Sequence, residues 1–293
     1  MRPPSVDRLA RSLADVELPH PLLVEAARAA IAADDPDSAR ARAEALGRTL
    51  LQPVVNATGV LLHTNLGRAP VGHAQDAGYS NLELDLSTGQ RGSRSAHAAS
   101  LMARACGAEA AVIVNNCAAA VLLGLTAVAA GRSVVVSRGE LVEIGGGFRV
   151  PDVMAQSGAH LVEVGTTNRT RAADFRRAID DDANDVAAVL KVHTSNYRIT
   201  GFTEDVSVRA LDQLGPPVLV DLGSGLLDAG CPWLDGPPPA WLGDEPGVRQ
   251  TIADGADLVM FSCDKLLGGP QAGVIAGDAE LVATCARHPL NRA

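Results

Sequence analysis

The residues best suited to covalent chemistry lie in one stretch, Leu258-Val259-Met260-Phe261-Ser262-Cys263-Asp264-Lys265-Leu266-Leu267-Gly268-Gly269-Pro270. An apolar run ends in Ser-x-x-Lys and then turns on glycines. A lysine just past a strand end is partly desolvated and can form an imine, which an arginine cannot do. Only two of the 25 basic residues are lysines, Lys191 and Lys265. A chain that uses arginine for nearly all its positive charge keeps lysine where something other than charge is needed; the bland alternative is chance survival of two surface lysines. Lys191 sits inside an apolar run, a poorer place for an imine than a glycine-flanked turn. Ser-x-x-Lys also occurs in β-lactamase-type enzymes, but there the serine opens a helix in a different fold.

Two more strand ends complete a pattern. Val218-Leu219-Val220-Asp221 delivers an aspartate into Leu222-Gly223-Ser224-Gly225. Beside a pyridine nitrogen such a carboxylate keeps the ring cationic; the alternatives are a helix cap or a metal-binding aspartate. Ala111-Val112-Ile113-Val114 turns through Asn115, Asn116 and Cys117 into an alanine-rich helix. The N-terminus of that helix offers N–H groups to a phosphate, with Asn116 as an added donor, or is simply a well-capped packing helix. Ser262 can donate to the same phosphate. Phosphate cradle, then Asp221, then Lys265, in this order, points to pyridoxal 5′-phosphate (PLP).

Weaker clusters surround these. Thr88 to His97 holds Arg91 and Arg94 among glycines, which suits either an anion site or a solvated loop. His193, Ser195, Asn196 and Tyr197 follow an apolar run and can line a pocket, although His193 can equally be structural. Glu140 and Glu143 precede Gly145-Gly146-Gly147 without an assignable role.

The elements that must position these residues follow from periodicity. Residues 1–52 read as three short helices: Ser5 caps the first, Pro21 opens the second and Pro36-Asp37-Ser38 precedes the third. From residue 53 the pattern becomes strands at Ala111–Val114, Ser133–Ser137, His160–Val164, Ala187–Val192, Val218–Asp221 and Leu258–Ser262. Helices are expected near 96–106, 117–130, 171–180, 205–214 and 247–254. Such alternation predicts an α/β domain with a mostly parallel sheet over 53–293. Residues 228–247 are proline-rich, hold both tryptophans and read as an irregular insertion with its own small apolar cluster.

Composition excludes several classes. No run approaches a membrane span, no apolar segment follows the basic N-terminus as in a signal peptide, and the five cysteines lack CxxC spacing. No membrane, no disulfide framework and no metal site are therefore expected, and a reducing cytoplasm is the simplest home. A net charge of −9 without any basic run means that a nucleic-acid partner must be argued from something other than charge.

With these residues in hand, the chain resembles bacterial selenocysteine synthase, the L-seryl-tRNA(Sec) selenium transferase family, over nearly its whole length. The motifs are Pro4 to Leu9, Asn56 to Val60, His63-Thr64-Asn65-Leu66-Gly67-Arg68, Arg91-Gly92-Ser93-Arg94, Ser137 to Glu140, Ser195-Asn196-Tyr197, Asp221 to Gly225, and Asp264 to Gln271. The resemblance implies a fold-type-I PLP-dependent transferase (aminotransferase-like) that converts seryl-tRNA(Sec) to selenocysteyl-tRNA(Sec) with selenophosphate, eliminating water and adding selenium. It implies a homo-oligomer built from dimers and an N-terminal helical domain that contacts the tRNA. Lys265 and Asp221 take the catalytic roles, Asp264 is a candidate acid for the departing hydroxyl, and Asn116, Cys117, Ser195 and Ser262 are candidate cofactor contacts. Arg91, Arg94 and Arg292 are candidates to hold selenophosphate.

Two departures stand out. Cys117 occupies a position where the family is expected to carry a third asparagine. The family also continues beyond the Arg292 motif into a C-terminal domain that this sequence is expected to lack. The alternatives are therefore a PLP-dependent lyase acting on a small amino or sugar acid, or an inactive truncated remnant. The helical residues 1–52 favour the tRNA-linked enzyme over the lyase.

Overall fold

The computed structural model describes residues 4–73, 77–144 and 147–292. Of the stretches singled out above, Met1–Pro3, Gly145, Gly146 and Ala293 lie outside them. The chain divides into two compact units, Met1–Val60 and Leu61–Ala293.

The first unit holds α1 (Val6–Arg11), α2 (His20–Ala32) and α3 (Ala39–Thr49). Ser5 caps α1 by accepting from the Arg8 N–H at 3.3 Å, and Pro21 lies in the first turn of α2, where its missing N–H costs nothing. Its core is Ala10, Leu13, Leu23, Ala26, Ala27, Ala30, Ala39 and Ala43. Six alanines among eight core residues let the helix backbones approach closely, while Leu13, Leu23 and the partly buried Val6, Leu9, Val16, Leu18, Val24 and Leu46 supply the larger apolar area.

The second unit is an α/β domain. Its elements are α4 (Ala96–Cys106), β1 (Ala110–Val114), α5 (Cys117–Ala129), β2 (Ser133–Ser137), β3 (Glu143–Ile144), β4 (Phe148–Arg149), α6 (Val150–Ser157), β5 (His160–Val164) and α7 (Ala172–Ile179). They continue as β6 (Val186–Val192), α8 (Val208–Asp212), β7 (Val218–Gly223), α9 (Val248–Ala253), β8 (Leu258–Ser262), β9 (Gly273–Gly277) and α10 (Ala279–Arg287). Seven strands form one sheet in the order β1-β9-β8-β7-β6-β2-β5, while β3 and β4 make a small hairpin. β9 runs antiparallel to both neighbours, and the β8-β7-β6-β2-β5 stretch is parallel.

Every position of β2, β7, β8 and β9 is buried, as expected for strands covered on both faces. Leu219, Leu258, Met260 and Ile275 pack with α5, α6 and α10 on one face. Val218, Val220, Leu222, Val259 and Phe261 pack with α4, α7, α8 and α9 on the other. Period-two alternation then puts Asp221 and Ser262 on the α5 face, at the ends of their strands. Among the described residues no helix is long and apolar enough to cross a membrane.

β9 and the β3/β4 hairpin are absent from the strands expected from sequence. Two glycines bound the three apolar residues of β9, so its run is too short to stand out. Both glycines are sterically required: a Cβ at Gly273 would overlap the Asn116 carbonyl, and one at Gly277 would overlap the Asp257 carbonyl. The 228–247 insertion does carry an apolar cluster, but that cluster is Leu226, Cys231 and Leu242. Both tryptophans stay outside it, Trp233 at 55% and Trp241 at 65% exposure.

Candidate active site

The chain leaves β2 to pair β5, then crosses back to β6 and proceeds the other way through β7 and β8. At such a switch point the loops beyond the carboxyl ends of the strands part and leave a crevice. A cleft of about 1200 Å³ lies there, lined among others by Arg68, Glu140, His193, Ser195, Ser224 and Lys265.

The register between β7 and β8 slips between Asp221 and Gly223, a bulge that Gly223 permits with a φ of 68°. A Cβ placed on Gly223 would stand 3.7 Å from Asp221 Oδ1, 3.9 Å from Lys265 Nζ and 3.9 Å from Ser195 Oγ. Three residues from three strand ends thus converge on the space that this glycine leaves open. Ser224 Oγ, next along the turn, is buried with no hydrogen-bond partner among the described residues.

Asp221 is itself buried. Burial pushes its carboxyl up to about 6, against the opposing pull of the Lys265 ammonium, the Cys117 hydrogen bond and His193. Cys117, the first residue of α5, donates its thiol to Asp221 Oδ1 at 3.7 Å. Burial and the adjacent carboxylate push that thiol well above its ordinary range, so it stays a neutral donor. Asn116 caps α5 by accepting from the Ala119 N–H at 2.9 Å. Its side-chain oxygen is therefore committed to the helix. Ser262 is buried at the end of β8.

Asp264 Oδ2 is ion-paired with Arg68 at 2.8 Å, and its backbone carbonyl accepts from the Ala69 N–H. Asp264 therefore anchors the His63–Arg68 stretch to the lysine turn. Arg68 itself lines the cleft. The other arginines stand elsewhere: Arg91 and Arg94 both bind Glu83, at 3.1 and 2.8 Å, with side chains 81% and 75% exposed. Arg292 is exposed at the end of a 3₁₀ turn. None of the three lines the cleft of a single chain.

Two ion pairs in the cleft wall escaped the sequence reading. Lys191 Nζ binds Glu140 Oε1 at 2.9 Å, and Glu140 Oε2 accepts from the Val192 N–H at 2.8 Å. Burial pushes the Glu140 carboxyl up while Lys191 opposes it. This accounts for Glu140 and commits Lys191 to structure. His193 Nε2 lies 3.1 Å from both Glu245 oxygens, and the His193 N–H donates to the Asp221 carbonyl. Burial pushes Glu245 up, but the hydrogen bond from His193 and the nearby Ser224 hydroxyl, with the charges of His193 and Lys265, together hold the carboxyl below its usual value. Partners 51 and 52 residues apart leave no local signal; Arg68 was visible only as part of a motif.

The domain resembles solved structures at the level of fold. It superposes on D-glucosaminate-6-phosphate ammonia-lyase with a TM-score of 0.53 and 24% identity, over 66% of this chain and 51% of that one. It also superposes on a cystathione gamma lyase from Micromonospora echinospora with a TM-score of 0.50 and 18% identity, over 77% and 57%. The architecture is the α/β fold with a mostly parallel sheet expected from the strand pattern, and of the fold type I that the family resemblance implied. Curated relatives are much nearer in sequence. The L-seryl-tRNA(Sec) selenium transferase of Moorella thermoacetica is 53% identical over 84% of this chain and 53% of its own length. That of Hyphomonas neptunium is 52% identical over 85% and 54%. The chain thus spans about half the length of the curated relatives it matches. Residues 54–293, which hold Arg68, Asp221 and Lys265, match the model of the L-seryl-tRNA selenium transferase family, and the chain belongs to that family.

Proposed function

We propose that this chain binds PLP on Lys265 and carries out the conversion of seryl-tRNA(Sec) to selenocysteyl-tRNA(Sec) with selenophosphate. The observation that carries the reading is the convergence of Lys265 Nζ, Asp221 Oδ1 and Ser195 Oγ around the open Cβ position of Gly223. An amine, a buried carboxylate and a hydroxyl around a glycine-made space fit that cofactor, and the buried Ser224 Oγ, close to Glu245, supplies a further polar group. When bound, PLP supplies an electron sink for a negative charge that develops at the seryl Cα.

The chain's own groups supply the rest. Lys265 Nζ would hold the cofactor and, once the seryl amino group had displaced it, the freed amine would take the Cα proton. Asp221 balances a positive charge on the ring nitrogen, and Cys117 orients Asp221 through its Oδ1. The first turn of α5, with Asn116 at its cap, and Ser262 at the end of β8 are the places for the phosphate. Arg68, fixed by Asp264, is the guanidinium that the fold brings into the cleft to meet an anion such as selenophosphate. Held in this ion pair as the anionic partner, Asp264 positions Arg68, and the proton for the departing hydroxyl is the one that Lys265 Nζ has taken from Cα.

The partners follow from the same reading. The helical unit Met1–Val60 is the proposed tRNA-contacting part, and a tRNA substrate places the reaction in the cytoplasm. A homo-oligomer built from dimers is supported by exposed apolar side chains: Tyr79, Leu82, Leu84, Leu86 and Leu101. Arg91 and Arg94 lie on the same segment, where a second copy would meet them.

The test is spectroscopic. The chain mixed with PLP should gain a visible absorption band that Lys265→Ala abolishes while Lys191→Ala retains it. A band that survives loss of Lys265 refutes the assignment.

A further inference from the structure

We infer that Trp241 and Tyr197, with Arg198 and Arg169, form a nucleotide subsite in the cleft that holds the 3′-terminal adenosine of the aminoacylated RNA. The inference deepens the proposed function and rests on it for the identity of the RNA.

Aromatic residues are scarce in this chain: two Trp, two Tyr and four Phe in 293 residues. Of the four Trp and Tyr, two line the same cleft as Lys265, and both are open to solvent, Trp241 at 65% and Tyr197 at 40% exposure. Trp241 is not there to stabilise its own insertion, whose apolar cluster is built from Leu226, Cys231 and Leu242 without it. A large ring left out of a nearby core and facing a polar cleft gains nothing from exposure, so a ligand that covers it is the natural account. Every nucleobase has a π-face that such rings can stack on.

The charges around these rings agree. Glu140 and Asp205 are paired with Lys191, Glu245 with His193, Glu204 with Arg171 and Arg68 with Asp264, which leaves Asp244 as the cleft carboxylate without a cation at ion-pair distance among the described residues. Arg169 and Arg198 also line the cleft, and among the described residues neither has a carboxylate within ion-pair distance. Arg169 Nε is steadied by the Phe202 carbonyl at 3.3 Å. The Arg198 guanidinium rests on the turn after Trp241, with Nη2 2.7 Å from where a Gly243 Cβ would be. Any side chain at Gly243 would displace that guanidinium, so Gly243 couples Arg198 to the tryptophan turn. Two exposed rings beside two guanidinia without carboxylate partners present a stacking face and a phosphate face together. An aminoacyl group is esterified to the terminal adenosine, so a base held here keeps its serine within the cleft that contains Lys265.

The experiment measures binding of labelled CpCpA and CpC oligonucleotides to the full chain by fluorescence polarisation. One stacked base corresponds to about 5- to 150-fold in affinity, the margin expected for CpCpA over CpC in the wild type. Trp241→Ala should erase the margin, Trp241→Phe should keep most of it, and Arg198→Ala should weaken both probes alike. Equal binding of the two probes by the wild type, or an undiminished margin in Trp241→Ala, overturns the subsite. The visible band of bound PLP, recorded on the same preparations, separates the two readings. A chain with the band but no margin loses only the subsite; one with the margin but no Lys265-dependent band keeps the subsite and loses the proposed chemistry.

Discussion

Replacing Asp221 with asparagine should make the cofactor-free chain more stable at neutral pH while abolishing its use of PLP. The folded carboxyl sits at about 6 because of burial, against an ordinary value of 3.8. Between these values the folded chain binds more protons than the unfolded one. Stability therefore falls as pH rises through that window, is fully present below it and is lost above it. The gap corresponds to about 3 kcal/mol. An amide of the same shape has no charge to desolvate and lacks this dependence. In urea unfolding of the cofactor-free chain from pH 4 to 7.5, the wild type should lose about 3 kcal/mol relative to Asp221→Asn. In thermal unfolding that is a relative shift of about 6–12 °C. Adding PLP supplies a cation for the buried carboxylate, so cofactor stabilisation of the wild type should grow as pH rises from 5 to 7.5 and be flat for the variant. Parallel pH curves for the two cofactor-free chains would refute the reasoning.

Glu140→Gln should leave the Lys191 ammonium with only the exposed Asp205 at 3.6 Å and destabilise the chain by about 1.5–3 kcal/mol, read by urea unfolding. Replacing both, as Glu140→Leu with Lys191→Met, should recover most of the loss; no recovery would mean that the pair does more than satisfy itself. Gly223→Ala places a methyl at ordinary contact distances from its neighbours, so its fold cost is the positive φ, about 1–2 kcal/mol. The same methyl fills the proposed cofactor space, and the visible band should disappear while the unfolding transition persists.

The position of the candidate site residues was legible where it is local. Lys265 and Asp221 announce themselves as polar residues at the ends of apolar runs beside glycines, and the βαβ pattern places such ends at one edge of a sheet. Ser5 and Pro21 mark their helices by short-range rules that need no tertiary context. Pairings across the sheet were not legible. Glu140 meets Lys191, and His193 meets Glu245, only because β2, β6 and the proline-rich insertion come together in space. β9 was hidden for a related reason: its two bounding glycines read as turns, yet each is demanded by a carbonyl from a distant element. The candidate anion-site arginines divide by their partners within one chain. Arg91 and Arg94 are grouped in sequence but turn to Glu83, whereas the solitary Arg68 reaches the cleft through Asp264.

The bulge at Gly223 explains how one site can draw on both faces of a buried sheet. Before it, strict alternation sends Asp221 toward α5 and its neighbours Val220 and Leu222 to the opposite face. A regular strand would carry this division to its end and leave the carboxylate facing only the helix. The one-residue slip between Asp221 and Gly223 interrupts the alternation where the strand leaves the sheet. Ser224 can then line the cleft with Lys265, while Asp221 keeps its oxygen against Cys117 and still lies beside the space over Gly223. The aspartate is thus gripped from the helix side through Oδ1, the same oxygen that lies 3.7 Å from where a Gly223 Cβ would stand. A thiol suits that grip. Its long, weak hydrogen bond orients the carboxylate without neutralising it, so the full charge remains for a cation in the cleft.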